Sequence, residues 1–213
     1  FGHKSEADFM LGDESMKKEW TIGKKVGSDI LSIVDDGNVM GCGYVPYDDE
    51  GTKSRESYLI KNGVLSARLH SGETASELKE DLTGNARSIN FEFEPIVRMT
   101  TTYIKEGKET LEELFSKVKE GIYIKSIKHG SGMSTFTIAP SLAYKIKDGK
   151  IIKPATMSVV TGNVFKTLGE IDGLSNKVEI ITFTLGGCGK MEQMPLSVGF
   201  GGPYVRVNNL NVQ

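Results

Sequence analysis

Two residues far apart in this chain have side chains suited to a single metal ion. His3 lies in Phe1-Gly2-His3-Lys4-Ser5-Glu6-Ala7-Asp8, and Cys188 lies in Thr184-Leu185-Gly186-Gly187-Cys188-Gly189-Lys190. Imidazole nitrogen and thiolate sulfur are both good zinc ligands. A catalytic zinc takes three protein ligands and works beside a general base, whereas the sequence offers two strong candidates. Each has a plainer reading. A His near a chain start is commonly solvated, and a lone Cys is commonly a small buried hydrophobe. In favour of the metal reading, Glu6 and Asp8 follow His3 in a helical pattern. Gly186, Gly187 and Gly189 supply little bulk to bury a thiol, but let the backbone turn it toward a metal. Cys42, in Gly41-Cys42-Gly43, is an alternative glycine-flanked thiol. His70 and His129 end apparent strands, where a surface position is expected.

Other polar motifs leave two readings open. Asp48-Asp49-Glu50-Gly51 is either a solvated acidic turn or a carboxylate cluster at the rim of a site. Arg98-Met99-Thr100-Thr101-Thr102-Tyr103 is either an ordinary sheet strand or an edge strand able to pair with an extended peptide. Thr83-Gly84-Asn85-Ala86-Arg87 accompanies it. The chain has no Walker loop, no Gly-x-Gly-x-x-Gly after a strand, and no Gly-x-Ser-x-Gly. Its basic residues do not interleave with aromatics, so no nucleic-acid partner is expected.

The elements that must hold these residues read as mostly strand. Asn62-Gly63 between Arg55–Lys61 and Val64–Leu69 predicts a hairpin, as does Asp148-Gly149 after Ser141–Ile146 and before Lys150–Pro154. The two hairpins share a sequence pattern, which reflects either common turn chemistry or a duplicated unit. Further strands are expected over Val26–Val34, Val39–Tyr47, Pro95–Lys105, Ile122–Ile127, Thr135–Ala139, Val178–Leu185, Leu196–Phe200 and Tyr204–Val207. Thr110 with Glu113, and Thr74 with Glu77, read as capping boxes opening helices that run to Glu120 and Leu82. Residues 3–11 read as the end of a helix stopped by Gly12. The expectation is a β-rich α+β single domain of mostly antiparallel strands and hairpins, with two or three helices.

Composition agrees. The 213 residues carry 25 glycines, placed at turns between short apolar runs. The formal net charge of −2 gives no general attraction to nucleic acid or to an anionic membrane. No apolar run is long enough to span a bilayer, and no secretory signal opens the chain. Two distant cysteines do not suggest a disulfide framework, so a cytoplasmic location is expected.

On the N-terminal motif, Val34-Asp35-Asp36-Gly37, the acidic turn, the Thr83 and Arg98 motifs, Gly121-Ile122-Tyr123 and Gly187-Cys188-Gly189-Lys190, the chain resembles the C-terminal half of the TldD/PmbA family. These are metallopeptidases once labelled modulators of DNA gyrase. The resemblance runs nearly end to end. It implies a zinc centre built from a His-Glu-x-x-x-His motif and a distant Cys. His3 matches the second His and Cys188 the Cys; the first His and the Glu general base would precede Phe1, so the chain reads as a fragment without catalytic base or N-terminal domain. Two His five positions apart diverge by about 140° on a regular helix, so a π-bulge eased by Gly2 is expected. Retention of His3 and Cys188 places the chain on the TldD-like side. The implied activity is zinc-dependent hydrolysis of unstructured peptides in the cytoplasm, as a homodimer or a heterodimer with a PmbA-like subunit. The alternative is a non-catalytic, PmbA-like peptide-binding or assembly subunit.

Overall fold

Both dipeptides that predict hairpins form them in the computed structural model, which describes residues 1–182 and 187–213. Asn62 and Gly63 have φ of 50° and 76°, and Asp148 and Gly149 have 47° and 75°. That is the left-handed pair a type I′ turn needs. The first turn joins Ser57–Lys61 to Val64–Leu65, and the second joins Thr135–Lys147 to Lys150–Ala155. The hairpins occupy different sheets with different neighbours.

A six-stranded sheet has the order Glu179–Thr182, Gly199–Gly202, Thr101–Ile104, Ile33–Asp35, Ser57–Lys61, Val64–Leu65. A five-stranded sheet is built on the long hairpin of Glu120–Gly132 with Thr135–Lys147. Among the described strands every pairing is antiparallel except that of Gly199–Gly202 with Thr101–Ile104. The α+β, mainly antiparallel expectation therefore holds. Thr101–Ile104 is an interior strand, flanked by Ile33–Asp35 on its other side. Its backbone groups are already paired, so the edge-strand reading of the Arg98 motif is corrected.

Among the described residues there are five short α-helices, more than the two or three expected. Glu14–Glu19 and Val164–Gly169 escape notice because they are too short to show a 3.6-residue period; their caps are Asp13 and Asn163. The Thr110 capping box forms: Glu113 N donates to Thr110 Oγ1 at 3.1 Å, and Thr110 N donates to Glu113 Oε2 at 2.7 Å. Its helix covers only Leu111–Ser116, because residues from Glu120 onward join the long hairpin. The earlier helix is Gly72–Leu78, capped by Ser71 with Thr74 at the third helical position. Lys79, at φ 55°, ends it. The strands expected over 26–34 and 39–47 shrink to Ile33–Asp35. Val26 and Leu31 are buried from a turn instead, with Leu31 N donating to Ser28 O at 3.0 Å, while Met40, Tyr44 and Tyr47 are exposed. The strand expected at 178–185 is seen as Glu179–Thr182, and its last three residues lie outside the described ones.

The core gathers Met10, Trp20, Leu31, Ile33, Leu59, Ile60, Leu65, Leu69, Val97 and Leu174. Each such side chain contributes roughly 1.5–3 kcal/mol on burial. Met10 and Trp20 bring the N-terminal segment into this core. A parallel bridge between Glu6 and Leu69 fixes that segment further, with Ala7 N donating to Leu69 O at 3.0 Å and Leu69 N to Ser5 O at 2.8 Å. The position of His3 is thereby tied to the main sheet.

Candidate metal centre

The segment carrying His3 is not a regular helix. Gly2–Ser5 form one 3-10 turn, Glu6 bridges to Leu69, and Asp8–Leu11 form a single α-turn. No π-bulge occurs among the described residues. Gly2 has a different purpose from the one expected: a Cβ there would lie 1.7 Å from Met99 Sδ. The absence of a side chain lets the His3 turn press against Met99.

Cys188 opens the strand Cys188–Lys190, which pairs with Gln193–Leu196. A Cβ on Gly187 would lie 2.2 Å from Leu196 O. The residue before the thiol must therefore be glycine for the two backbones to approach. The buried guanidinium of Arg98 fixes the carbonyl side, with Nη2 donating to Cys188 O at 2.7 Å and Nη1 to Gln193 O at 3.3 Å.

The fold brings the two ends of the chain together. His3 Nε2 lies 2.7 Å from Cys188 Sγ, across 185 residues. The other ring nitrogen, Nδ1, is 2.9 Å from Glu6 Oε2, a carboxylate with no solvent exposure. Hydrogen bonds to Cys188 and then to Glu6 outweigh burial and raise His3 to about 9. The metal-free imidazole thus holds a proton at neutral pH that a metal would have to displace. Lys190 closes the arrangement, bonding Glu6 Oε2 at 2.8 Å and Asp8 Oδ1 at 2.6 Å.

An imidazole nitrogen facing a thiol, with its second nitrogen tied to a carboxylate, is the donor chemistry of a zinc centre. The residues fit as two of its ligands. Among the described residues, no group of three or more His, Cys, Asp or Glu converges to complete it.

The remaining candidates lie elsewhere. Cys42 is free and partly buried, and belongs to no group of three or more potential metal ligands among the described residues. His129 is exposed on the long hairpin, as expected. His70 is not a surface residue: it is 1% exposed, with Nδ1 3.1 Å from Thr74 Oγ1 and Nε2 2.9 Å from Glu80 Oε2. Burial lowers its pKa, against the opposing pull of Glu80. In the acidic turn Asp48 is buried while Asp49, Glu50 and Gly51 are exposed, and its three carboxylates bind backbone amides. Asp48 accepts from the Thr52 and Ala86 amides at 2.8 and 3.0 Å, Asp49 from Ser88 N at 2.7 Å, and Glu50 from Gly72 N at 2.7 Å.

Sequence reasoning placed Glu6 and Asp8 beside His3 but missed Lys190 as their partner. It also missed Asp35, which is buried and accepts from Thr100 N at 3.0 Å, Thr102 Oγ1 at 2.6 Å and Asn85 Nδ2 at 2.9 Å. The available signal was its place in the Val34-Asp35-Asp36-Gly37 motif.

A family model described as the PmbA/TldA metallopeptidase C-terminal domain matches residues 1–213. The chain belongs to this family. It is 37% identical over 214 residues to a metalloprotease of Methanothermobacter thermautotrophicus, covering 99% of this chain and 46% of that protein. A metalloprotease of Synechocystis sp. is 38% identical, with 100% and 46% covered. A zinc metalloprotease TldD homolog of Saccharolobus solfataricus is 33% identical, with 99% and 47% covered. The chain thus spans about half the length of the curated relatives it matches. Its fold is shared with a Thermotoga maritima protein described as a modulator of a DNA gyrase, at TM-score 0.74 and 23% identity, covering 100% of this chain and 46% of that one. It is also shared with TldE from Thermococcus kodakarensis, at TM-score 0.73 and 20% identity, covering 93% and 44%. No described helix is long and apolar enough to cross a membrane.

Proposed function

We propose that this domain carries part of the zinc centre of a TldD-like peptidase acting on unstructured peptides, with His3 and Cys188 as two of three protein ligands. The observation that carries the reading is the 2.7 Å approach of His3 Nε2 to Cys188 Sγ. The third ligand and the general base are the His and Glu of a His-Glu-x-x-x-His motif whose second His is His3. Bound zinc supplies an acidified water and polarises a carbonyl. The chain's own residues hold the imidazole and thiol in register and keep Nδ1 occupied by Glu6.

The relatives' names, metalloprotease and zinc metalloprotease, support the reaction class and the metal. Both cysteines are free, in keeping with the cytoplasm. The likeness to TldE supports a partner of the same architecture, in a homodimer or a heterodimer with a PmbA-like subunit.

The test is the zinc content and peptidase activity of the full-length parent protein. The wild type is expected to hold zinc and cut an unstructured peptide, and Cys188→Ala to lose both. Zinc unchanged by that substitution removes Cys188 from the centre. A wild type without zinc or turnover favours the non-catalytic, peptide-binding subunit instead. The 213-residue chain with added zinc is expected to be inactive.

A further inference from the structure

We infer that Lys190 is a positioning residue for the metal centre: it fixes Glu6, and through Glu6 it holds His3 with Nε2 toward Cys188. This rests on the zinc reading above. The Lys190 side chain is 1% exposed and that of Glu6 is fully buried. An ammonium has three N–H donors, and three acceptor groups surround this one. They are Glu6 Oε2 at 2.8 Å, the Asp8 carboxylate at 2.6 and 2.7 Å, and Val97 O at 2.8 Å. The Phe9 ring lies 4.3 Å away on another side. Hydrogen-bonded to Asp8 and Val97, ion-paired with Glu6 and buried, the ammonium is fixed in place.

Glu6 depends on it. Glu6 Oε1 has no hydrogen-bond partner among the described residues, so the carboxylate is held through Oε2 alone. That oxygen is shared by Lys190 and His3 Nδ1. Without the ammonium, the only group holding Glu6 is the imidazole that Glu6 is meant to orient. With it, Nδ1–H has a fixed acceptor, and the tautomer that leaves the Nε2 lone pair free for a metal is selected. Lys190 also shares a short strand with Cys188. One strand thus delivers a thiol and the clamp for the imidazole, so a shift of that strand moves both together.

A merely structural lysine and a positioning lysine differ in what their removal does. The measurement is the zinc dissociation constant of the full-length parent, by competition with a chromophoric chelator, for wild type, Glu6→Gln, Lys190→Met and the double variant. Each single change is expected to weaken zinc binding about 10–100-fold. Because Lys190 acts through Glu6, the double variant should be little weaker than the weaker single one. Zinc binding unchanged in folded Lys190→Met, or fold-changes that multiply in the double variant, overturns the inference. Should Lys190→Met not fold, Glu6→Gln decides: wild-type zinc affinity together with an unchanged cobalt absorption spectrum overturns it. A wild-type protein that binds no zinc overturns the zinc reading and this inference together. Tight wild-type binding with indifferent variants overturns this inference alone.

Discussion

His3 Nε2 and Cys188 Sγ meet at 2.7 Å although 185 residues separate them. Neither residue is held by its neighbours in sequence alone. The His3 turn is seated by the Glu6–Leu69 bridge and the Met10 and Trp20 side chains. Cys188 is seated by Arg98 and the Gln193–Leu196 strand. The meeting is a product of tertiary structure. Substituting either ligand should therefore abolish the centre while sparing the fold. His3→Ala and Cys188→Ala in the full-length parent are expected to leave it without zinc and to lower peptide hydrolysis by more than the ~10–100-fold typical of supporting residues. Metal analysis beside circular dichroism checks this; a zinc-replete, active variant of either kind would refute the ligand assignment.

The glycines around the thiol are not equivalent. A Cβ at Gly187 would meet Leu196 backbone atoms at 2.2, 2.6 and 3.0 Å, and backbone cannot step aside. A Cβ at Gly189 would meet the end of Met194, a flexible side chain that is 68% exposed, at 3.0 Å or beyond. Gly187→Ala is expected to lose about 1–3 kcal/mol by overpacking and to weaken zinc binding as Cys188 moves. Gly189→Ala should stay within about 0.5 kcal/mol of wild type. Denaturant titrations of the two variants, with zinc content alongside, separate them. Equal effects would remove the close-approach argument.

Asp35 is a buried carboxylate with no cation bonded to it among the described residues. Four donors converge on it: Thr100 N, Thr100 Oγ1, Thr102 Oγ1 and Asn85 Nδ2. They come from two segments, so this carboxylate ties its own strand, Ile33–Asp35, to the Asn85 loop and to Thr100–Thr102. Hydrogen bonds to a charged group are worth about 1.5–3 kcal/mol each, and orphaned donors cost more than the bond gained. Asp35→Ala is expected to lose about 3–5 kcal/mol, and Asp35→Asn less. Thermal and denaturant unfolding measure this; a loss under ~1 kcal/mol for Asp35→Ala would show that water replaces the carboxylate.

How far the sequence carried depends on how local the physics is. The Asn62-Gly63 and Asp148-Gly149 turns and the Thr110–Glu113 capping box were legible because their hydrogen bonds close within four residues. His3 and Cys188 were legible as residue types within a family pattern. Their supports were not: Lys190 reaches Asp8 across 182 residues, and no periodicity encodes such a pairing. The strand expected over 39–47 failed because the segment closes its backbone bonds locally, as Tyr44 N does to Gly41 O at 3.1 Å, and leaves Met40, Tyr44 and Tyr47 exposed. His70 was misjudged because the segment after it, Ser71 to Glu80, folds back over the ring.

That misjudged histidine makes a pH prediction. His70 is buried, and burial lowers its pKa from 6.5 despite the hydrogen bond and charge of Glu80; Arg68 also lowers it. In the unfolded chain the imidazole regains its ordinary value. Below pH 6.5 the unfolded state therefore binds a proton that the folded state resists, and stability falls with falling pH until the lower folded value is reached. Above pH 6.5 both states are neutral, and His70 contributes no slope. Unfolding free energies measured from pH 6.5 down to about pH 5, below the range in which the raised His3 sheds its proton and above most carboxylate titration, should decline. In His70→Gln, which keeps hydrogen-bonding atoms but cannot titrate, that decline should be reduced. An identical decline in both proteins would assign the acid sensitivity to other groups.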